Sequence, residues 1–559
     1  MISEYIFSKR VSRKDMRIIA HLDLDAFFAQ IEQIRLGLPE TAPVVAQQWG
    51  GILAVNYPAR SFGVLRSMNI TEAKSRCSTL SCVHASTYLA GDTEPRYHLN
   101  PKKNTHKVSL RYYREQSSTI MSLVRQLSGV HETLFEQASV DECYIDLTQL
   151  VSSMAANKTQ NNADWSMSCF AIPTSSDELN SKQTESSSTN ELNSKQTESS
   201  STNELNSNQT ESEQKMKLAC GIVARIRTQV YKQLGYTMSA GIARNKTLAK
   251  LGSAMNKPYN QTVILDRHLE AFLGVLEISK IRGLGGKMGD LLNSEFDVKH
   301  AKDLWIISES QLKNALGSLE SAQWVHGICR GICDEPVQKP AIPKQLSAHK
   351  IMVDAVSDEQ LCKLWIRTLC GELYYRVIQD EITNKRWPKS LQVLVSPNAE
   401  LKIIGFKRTG IFPSMDGFEL DAMCERTWML LNQSNPFPIL DIYLICGSFA
   451  PSIPISCTLR NFIVDSKINN RIIGQVCEVC NIKIGWDQVD EHKDFHVAME
   501  MHREEQIGLI EEDRNKRAGN VQVRSSPKRN KTVVSKKSTS TSAKKTLADF
   551  FKIEPKPGI

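Results

Sequence analysis

Two short apolar runs carry carboxylates where a strand should be dry, and nothing else constrains the fold of this 559-residue chain as much. In RIIAHLDL (17–24) Asp23 closes an otherwise apolar stretch; in ASVDECYIDLT (138–148) Asp141 and Glu142 interrupt one. β-Branched and apolar residues with intervening acids predict strands for both runs. An isolated carboxylate on a buried strand is very costly, so these acids are paired, metal-bound or exposed at strand edges. Three carboxylates converging from two strands would hold hard divalent cations such as magnesium. Two such ions can activate a hydroxyl and hold a leaving phosphate.

The chain is too long for one compact core, and about four domains are expected. No apolar run reaches the ~20 residues that span a bilayer, and MISEYIFSKRVSRKD lacks the apolar stretch of a secretion signal, so no membrane partner is expected. The 14 cysteines are mostly scattered singly, as in a reduced intracellular protein. Of the net charge of +8, the tail from Glu511 onward carries 13 basic and 5 acidic residues, while 152–214 carries 3 Lys and 9 acids. A basic tail on a mildly basic body suits a nucleic-acid partner or a nuclear address.

One repeat stands out. ELNSKQTESSSTN (178–190) recurs at 191–203, and ELNSNQTESE follows from 204. These copies are almost without apolar residues and cannot build a solenoid core, so about 152–214 is expected to be a disordered insertion. Leu218 to Leu234 has helical periodicity and Thr237–Ile242 reads as a strand. A Gly-rich turn sits within 278–293, and 345–465 reads as strand-rich.

HLDLDAFFAQIE (21–32), ILAVNYPARSFGVLRSM (52–68), ASVDECYIDL (138–147) and SAGIARNKTLAKLGSAMNKP (239–258) occur in that order. Together they resemble the Y-family, or translesion, DNA polymerases over about 1–460 apart from the insertion. WVHGICRGICDEPV (324–337) and the C-terminal modules narrow the resemblance to one branch. It implies an α+β multidomain chain, a right hand of palm, fingers and thumb plus a little-finger domain, followed by a small ββα zinc finger and a disordered tail. The expected boundaries are palm 1–45 and 91–270, fingers 46–90, helical thumb 271–340, little finger 345–465, zinc finger 473–505 and tail 512–559.

By that resemblance Asp23, Asp141 and Glu142 are the catalytic metal-binding carboxylates, assisted by the carbonyl of Leu24, and hold two magnesium ions, with manganese as the alternative. Primer–template DNA and deoxynucleoside triphosphates are the implied substrates. Tyr57, Arg60 and Lys257 match the family's triphosphate contacts; guanidinium and ammonium groups neutralise charge during transfer. Phe27 and Phe28 could be plain core aromatics. In the family the second ring closes the space beside the sugar, so that a 2′-hydroxyl collides with it. Gln48 and Ser67 match positions near the templating base, and Ser61 and Gly63 fit an open pocket.

The GLGGK turn at 283–287 either joins two helices or presents backbone N–H groups to a DNA phosphate. Cys477-x2-Cys480 followed by His492-x3-His496 suits a closed tetrahedral zinc site. Residues 477–503 set six acids against three bases, a net −3 that would repel phosphate. The stretch resembles the family's ubiquitin-binding finger, and Asp494, Val497 and Ala498 would share one helical face toward ubiquitin. Lys545 to Phe551 resembles a sliding-clamp (PCNA) peptide, with Leu547, Phe550 and Phe551 in register and Lys544 where Gln is usual. Lys528-Arg529 and Lys536-Lys537 suit nuclear import, and the expected state is a nuclear monomer. The alternatives are another branch of the family and a non-catalytic recruitment scaffold at stalled forks.

Overall fold

The computed structural model describes residues 17–157, 203–398, 405–433 and 437–452, positions 400 and 403, and three short strands at 168–170, 474–476 and 483–485. The chain divides into two units, Met1–Ser452 and Ile453–Ile559. The zinc ligands, the ubiquitin-facing residues, the clamp peptide, the tail and most of the repeats lie outside the described residues. In the second unit, Gly474–Val476 pairs antiparallel with Lys483–Gly485, and Cys477 and Cys480 fall between them in sequence.

In the first unit a period of two decides which way each strand residue points. Along Ile19–Leu24, residues Ala20, Leu22 and Leu24 enter one core, joined by Cys143 and Ile145 from Glu142–Asp146. The alternate residues Ile19 and Tyr144 enter a second core on the opposite face. His21, Asp23 and Glu142 therefore stand on that second face, where polar groups can reach one another. Acids in these runs are tolerated because only every other residue is buried in the first core.

The sheet has six strands in the order Phe135–Gln137, Glu142–Asp146, Ile19–Leu24, Met238–Ala243, Gln261–Val263, Ser168–Phe170. The first four pair antiparallel and the last two join in parallel. Helices Phe27–Arg35, Arg111–Ser128, Thr148–Ala156 and Asn203–Leu234 supply the apolar cover of the first face. On the second face, Leu248 and Ala249 of helix Lys246–Met255 share a core with a helical segment that runs from Leu269 to Ile328.

A third, smaller core lies under a three-stranded sheet of Gly51–Val55, Val44–Gln48 and Ser81–His84, closed by helices Tyr57–Ser61 and Ile70–Arg76. The fourth belongs to an antiparallel sheet ordered Gln345–Val356, Ile439–Gly447, Ser390–Val395, Phe406–Ile411. This body docks on the first through Lys350, whose Nζ donates to the carbonyls of Lys103 and His106 at 2.8 Å each and lies 4.4 Å over the Trp365 ring. Lys107 pairs with Glu372, and the Arg111 guanidinium lies 3.4 Å over the Tyr375 ring.

Two expectations need correction. The disordered insertion is too broad at 152–214: Thr148–Ala156 is helical, Ser168–Phe170 joins the sheet, and the helix ending at Leu234 begins at Asn203. Its polar first turns gain tertiary partners that composition hides, namely a Glu213–Arg267 ion pair and the buried side chain of Met216. The stretch 345–465 is not mainly strand, because helices Glu359–Asn384 and Leu420–Asn432 cover its sheet.

Candidate active site

Asp23 sits opposite Glu142 in the antiparallel register of their strands, and the amide of Leu24 donates to the carbonyl of Asp141 at 2.8 Å. The register thus brings both acids of the second run to the end of the first. Ser139 donates its hydroxyl to the Asp141 carboxylate and fixes that side chain. Each of the other two carboxylates meets a lysine: Lys257 donates to Asp23, and Lys250 donates to Glu142.

His21, Asp23 and Glu142 offer atoms within 4.8 Å of one another. The His21 ring, however, is fully buried and already engaged on both sides. Its Nδ1 lies 2.7 Å from Ser253 Oγ, and its Nε2 donates to Glu142 at 3.2 Å. It orients Glu142, as imidazole partners of ligating groups do. That bond, with Lys250, holds the Glu142 carboxyl down at about 2 against the opposing effect of burial. Burial instead raises Asp23, against the pull of Lys257, and lowers His21. The oxygens left to a cation are carboxylates, hard donors that suit an ion such as magnesium. The two ammonium groups balance them in the meantime.

His21 reaches Ser253 because helix Lys246–Met255 lies unusually close to the sheet. Gly241, opposite His21 in register, leaves no room for a side chain: a Cβ there would sit 1.9 Å from the Ala249 carbonyl oxygen and 2.4 Å from the Ser253 nitrogen. Asn245 caps this helix by accepting from Leu248 N at 3.0 Å, and buried Lys246 pairs with Glu136 at 2.9 Å.

Phe27 is buried in the first core and Phe28 is half-buried at its edge. Of the two, only Phe28 faces Tyr113, on which it is stacked. Tyr57 opens the short helix Tyr57–Ser61, capped by buried Asn56, and Arg60 lies 4.7 Å over its ring. Burial and the nearby Asp25 and Asp23 carboxylates push the Tyr57 phenol up to about 12. Gln48 ends a strand of the small sheet, opposite Gly51, and Ser67 is exposed on the loop before Ile70–Arg76. Asp25, His21, Gly241 and Glu32 were not singled out from sequence; each matters through neighbours distant in the sequence or through a close approach of backbones.

Residues 22–254, which hold the three carboxylates, match the impB/mucB/samB family. Residues 276–332 match the helix-hairpin-helix motif of DNA polymerase eta and Rev1, and 474–504 match the ubiquitin-binding zinc finger. The chain belongs to the Y-family of DNA polymerases. Among its relatives, DNA polymerase eta of Arabidopsis thaliana is 33% identical over 69% of this chain and 54% of its own length. The N-acetyltransferase eso1 of Schizosaccharomyces pombe is 31% identical over 82% of this chain and 51% of its own length. DNA polymerase iota of Homo sapiens is 28% identical over 65% of this chain and 42% of its own length. The chain spans about half the length of the first two relatives.

In this Y-family chain the hairpin of 276–332 is built on glycines for steric reasons. Gly283 adopts φ +94°, and a Cβ there would meet the Trp324 ring at 2.8 Å. At Gly289 a Cβ would sit 1.9 Å from the Leu284 carbonyl oxygen. Helix Lys287–Phe296 starts at Gly286 with no side-chain cap, so its first amides face outward from the GLGGK turn. Among the described residues, no helix is long and apolar enough to cross a membrane.

Proposed function

We propose that the chain is a DNA-directed DNA polymerase of the eta branch that extends primers past damaged template bases, ultraviolet pyrimidine dimers included. The observation that carries this reading is the antiparallel register that sets Asp23 against Glu142, with Asp141 at the same end and Lys257 on Asp23. In this reading the six-stranded sheet is the palm, the 44–84 body the fingers, the helical segment after Leu269 the thumb and the 345–447 body the little finger.

The primer 3′-hydroxyl gives its proton to water as its oxygen forms a bond to the α-phosphorus of a deoxynucleoside triphosphate, the bond to the α,β-bridging oxygen breaks, and pyrophosphate leaves. Two magnesium ions, or manganese, held by Asp23, Asp141, Glu142 and the Leu24 carbonyl, would supply Lewis-acid activation of the hydroxyl and charge neutralisation on the leaving phosphate. Lys257, Arg60 and Tyr57 grip the triphosphate, which places the α-phosphorus. Phe28 closes the space at the sugar C2′, and Gln48 and Ser67 border the templating base.

The same reading gives the C-terminal unit the task of recruitment. Zinc held by Cys477, Cys480, His492 and His496 folds the finger, and Asp494, Val497 and Ala498 meet ubiquitin, including ubiquitin on the clamp. Leu547, Phe550 and Phe551 dock on the sliding clamp in the nucleus. The test is primer extension past a defined cyclobutane thymine dimer. Wild-type protein should extend, and Asp141→Ala/Glu142→Ala should bind primer–template but not extend. Equal extension by both would place the chemistry elsewhere; extension by neither would favour a recruitment scaffold. A kappa- or iota-like branch would instead extend undamaged template and stall at the dimer.

A further inference from the structure

Asp25 follows Asp23 by two residues, so alternation alone would send it to the same face as the carboxylate cluster. The strand ends there, with Ala26 at φ +47°, and Asp25 lies outside the His21–Asp23–Glu142 group: it is 2% exposed and packed beside Ser239, the residue opposite Asp23 in register. Its Oδ1 accepts from the Ser239 hydroxyl at 2.7 Å and its Oδ2 accepts from the Tyr259 backbone N–H at 2.9 Å. Its Oδ1 is 3.8 Å from the Lys257 ammonium.

Tyr259 is held from its other side as well. Its carbonyl accepts from Arg227, a 1% exposed guanidinium whose Nε also donates to the Met238 carbonyl at 2.9 Å and whose Nη1 donates to Gln261 at 3.2 Å. Tyr259 has φ +50°, a left-handed conformation that a bulky residue keeps only when its surroundings impose it. The two buried charges are those surroundings: Asp25 fixes the amide and Arg227 the carbonyl. Lys257 precedes this clamped residue by two positions, and its ammonium lies on Asp23.

We infer that Asp25 is a positioning residue for nucleotide binding: it pins the Tyr259 amide so that the turn delivers the Lys257 ammonium to the triphosphate site. The inference rests on the reading of Lys257 as a triphosphate contact. It separates two aspartates that sequence alone makes look equivalent. Asp23 faces the cluster and meets substrate chemistry, whereas Asp25 acts through the 257–259 turn. A neutral amide at position 25 can still accept from the Tyr259 N–H and donate to Ser239, so the role needs hydrogen-bonding shape more than negative charge.

The experiment is single-nucleotide insertion kinetics on undamaged primer–template with Asp25→Ala, Asp25→Asn, Lys257→Ala and the Asp25→Ala/Lys257→Ala double variant. Losing two bonds of about 1 kcal/mol each should raise the nucleotide KM of Asp25→Ala about thirtyfold, with a much smaller change in kcat. Asp25→Asn should recover most of that loss. In the Lys257→Ala background Asp25→Ala should add little, because the group it positions is gone. If Asp25→Ala does not fold, Ser239→Ala removes one bond alone and should raise KM about fivefold, again only when Lys257 is present. Additive effects of the two substitutions, or Asp25→Asn as poor as Asp25→Ala, overturn the positioning role and leave the polymerase reading intact. An unchanged KM in Lys257→Ala overturns the triphosphate contact and the inference together.

Discussion

Phe28 lies face to face on Tyr113, ring centroids 4.3 Å apart and planes 13° apart. Tyr113 in turn donates its hydroxyl to Glu32 at 2.7 Å. Glu32 is fully buried and also accepts from Tyr97 at 2.9 Å and from Arg35 at 2.8 Å. The ring proposed to exclude a 2′-hydroxyl is therefore backed by a second ring, which a paired buried carboxylate holds still. Rigid backing matters here, since a gate that can swing away does not discriminate.

Phe28→Ala should raise ribonucleotide incorporation strongly while deoxynucleotide insertion stays measurable. Tyr113→Leu should move the ribo/deoxy ratio the same way by about fivefold, because an aromatic stack contributes roughly 1 kcal/mol. Tyr113→Phe keeps the stack and should change the ratio little. Insertion kinetics with paired ribo- and deoxynucleotides decide this; a ratio unmoved by Phe28→Ala would leave Phe28 a core aromatic.

Gly241→Ala places a methyl against the backbone of helix Lys246–Met255. The helix must then lift, and His21 loses Ser253. A cost of about 3 kcal/mol is expected, at the upper end for overpacking because the obstacle is backbone. Denaturant unfolding should register it, and the variant should also lose insertion rate. A variant as stable as wild type would mean that the close approach is dispensable.

Lys350 links the 345–447 body to the loop at 103–106, and burial, with Lys107 and Lys103 nearby, brings its ammonium down to about 8. Because this folded value lies below the unfolded one of about 10.4, the unfolded chain binds more protons between them. Stability tied to Lys350 should then rise with pH through about 8 to 10 and fall away as pH drops through that window. Melting temperatures across this range, wild type minus Lys350→Met, should show that rise. A difference that falls with pH would reverse the assignment.

In the C-terminal unit, Cys477→Ala should lose zinc and ubiquitin binding together, since such a module depends on its metal to fold. Asp494→Ala should keep zinc and lose ubiquitin affinity in calorimetry with the full chain. Neither change should alter primer extension on naked DNA. Duplex DNA binding by the finger without any ubiquitin signal would contradict the charge argument built on its net −3.

The juxtaposition of Asp23, Asp141 and Glu142 was legible because acids in apolar strands are rare enough to stand out, and the structure pairs those strands in the register that brings the three together. Lys257, Tyr57 and Phe28 were reached only through the family motifs, since lone cations and aromatics carry little information by themselves. His21, Asp25 and Gly241 were not reached. A histidine in a strand reads as core until Ser253, 232 positions away, is known to touch it. Asp25 reads as a second Asp23 until its bonds to Ser239 and to the Tyr259 amide, 214 and 234 positions away, are known. The helix from Asn203 was missed because its opening residues repeat a polar unit, and its anchor, Arg267, lies 54 positions further on. Helix Glu359–Asn384 was legible in principle, with Cys362, Trp365, Ile366, Leu369 and Leu373 buried at helical spacing. The β-branched runs around it drew the reading toward strands.

The sheet order has a practical consequence for following this protein at work. Ser168–Phe170 forms one edge, separated from the Asp23 strand by Gln261–Val263 and Met238–Ala243, and in sequence the repeats come after it. The repeats are thus spliced into the chain at the border of the sheet farthest from Phe135–Gln137, three strands away from the Asp23 strand. A fluorophore or affinity handle grafted among residues 178–202 would report on recruitment and turnover in a catalytically intact molecule. The same address could accept a foreign domain and, on the proposed polymerase reading, deliver other activities to a primer end.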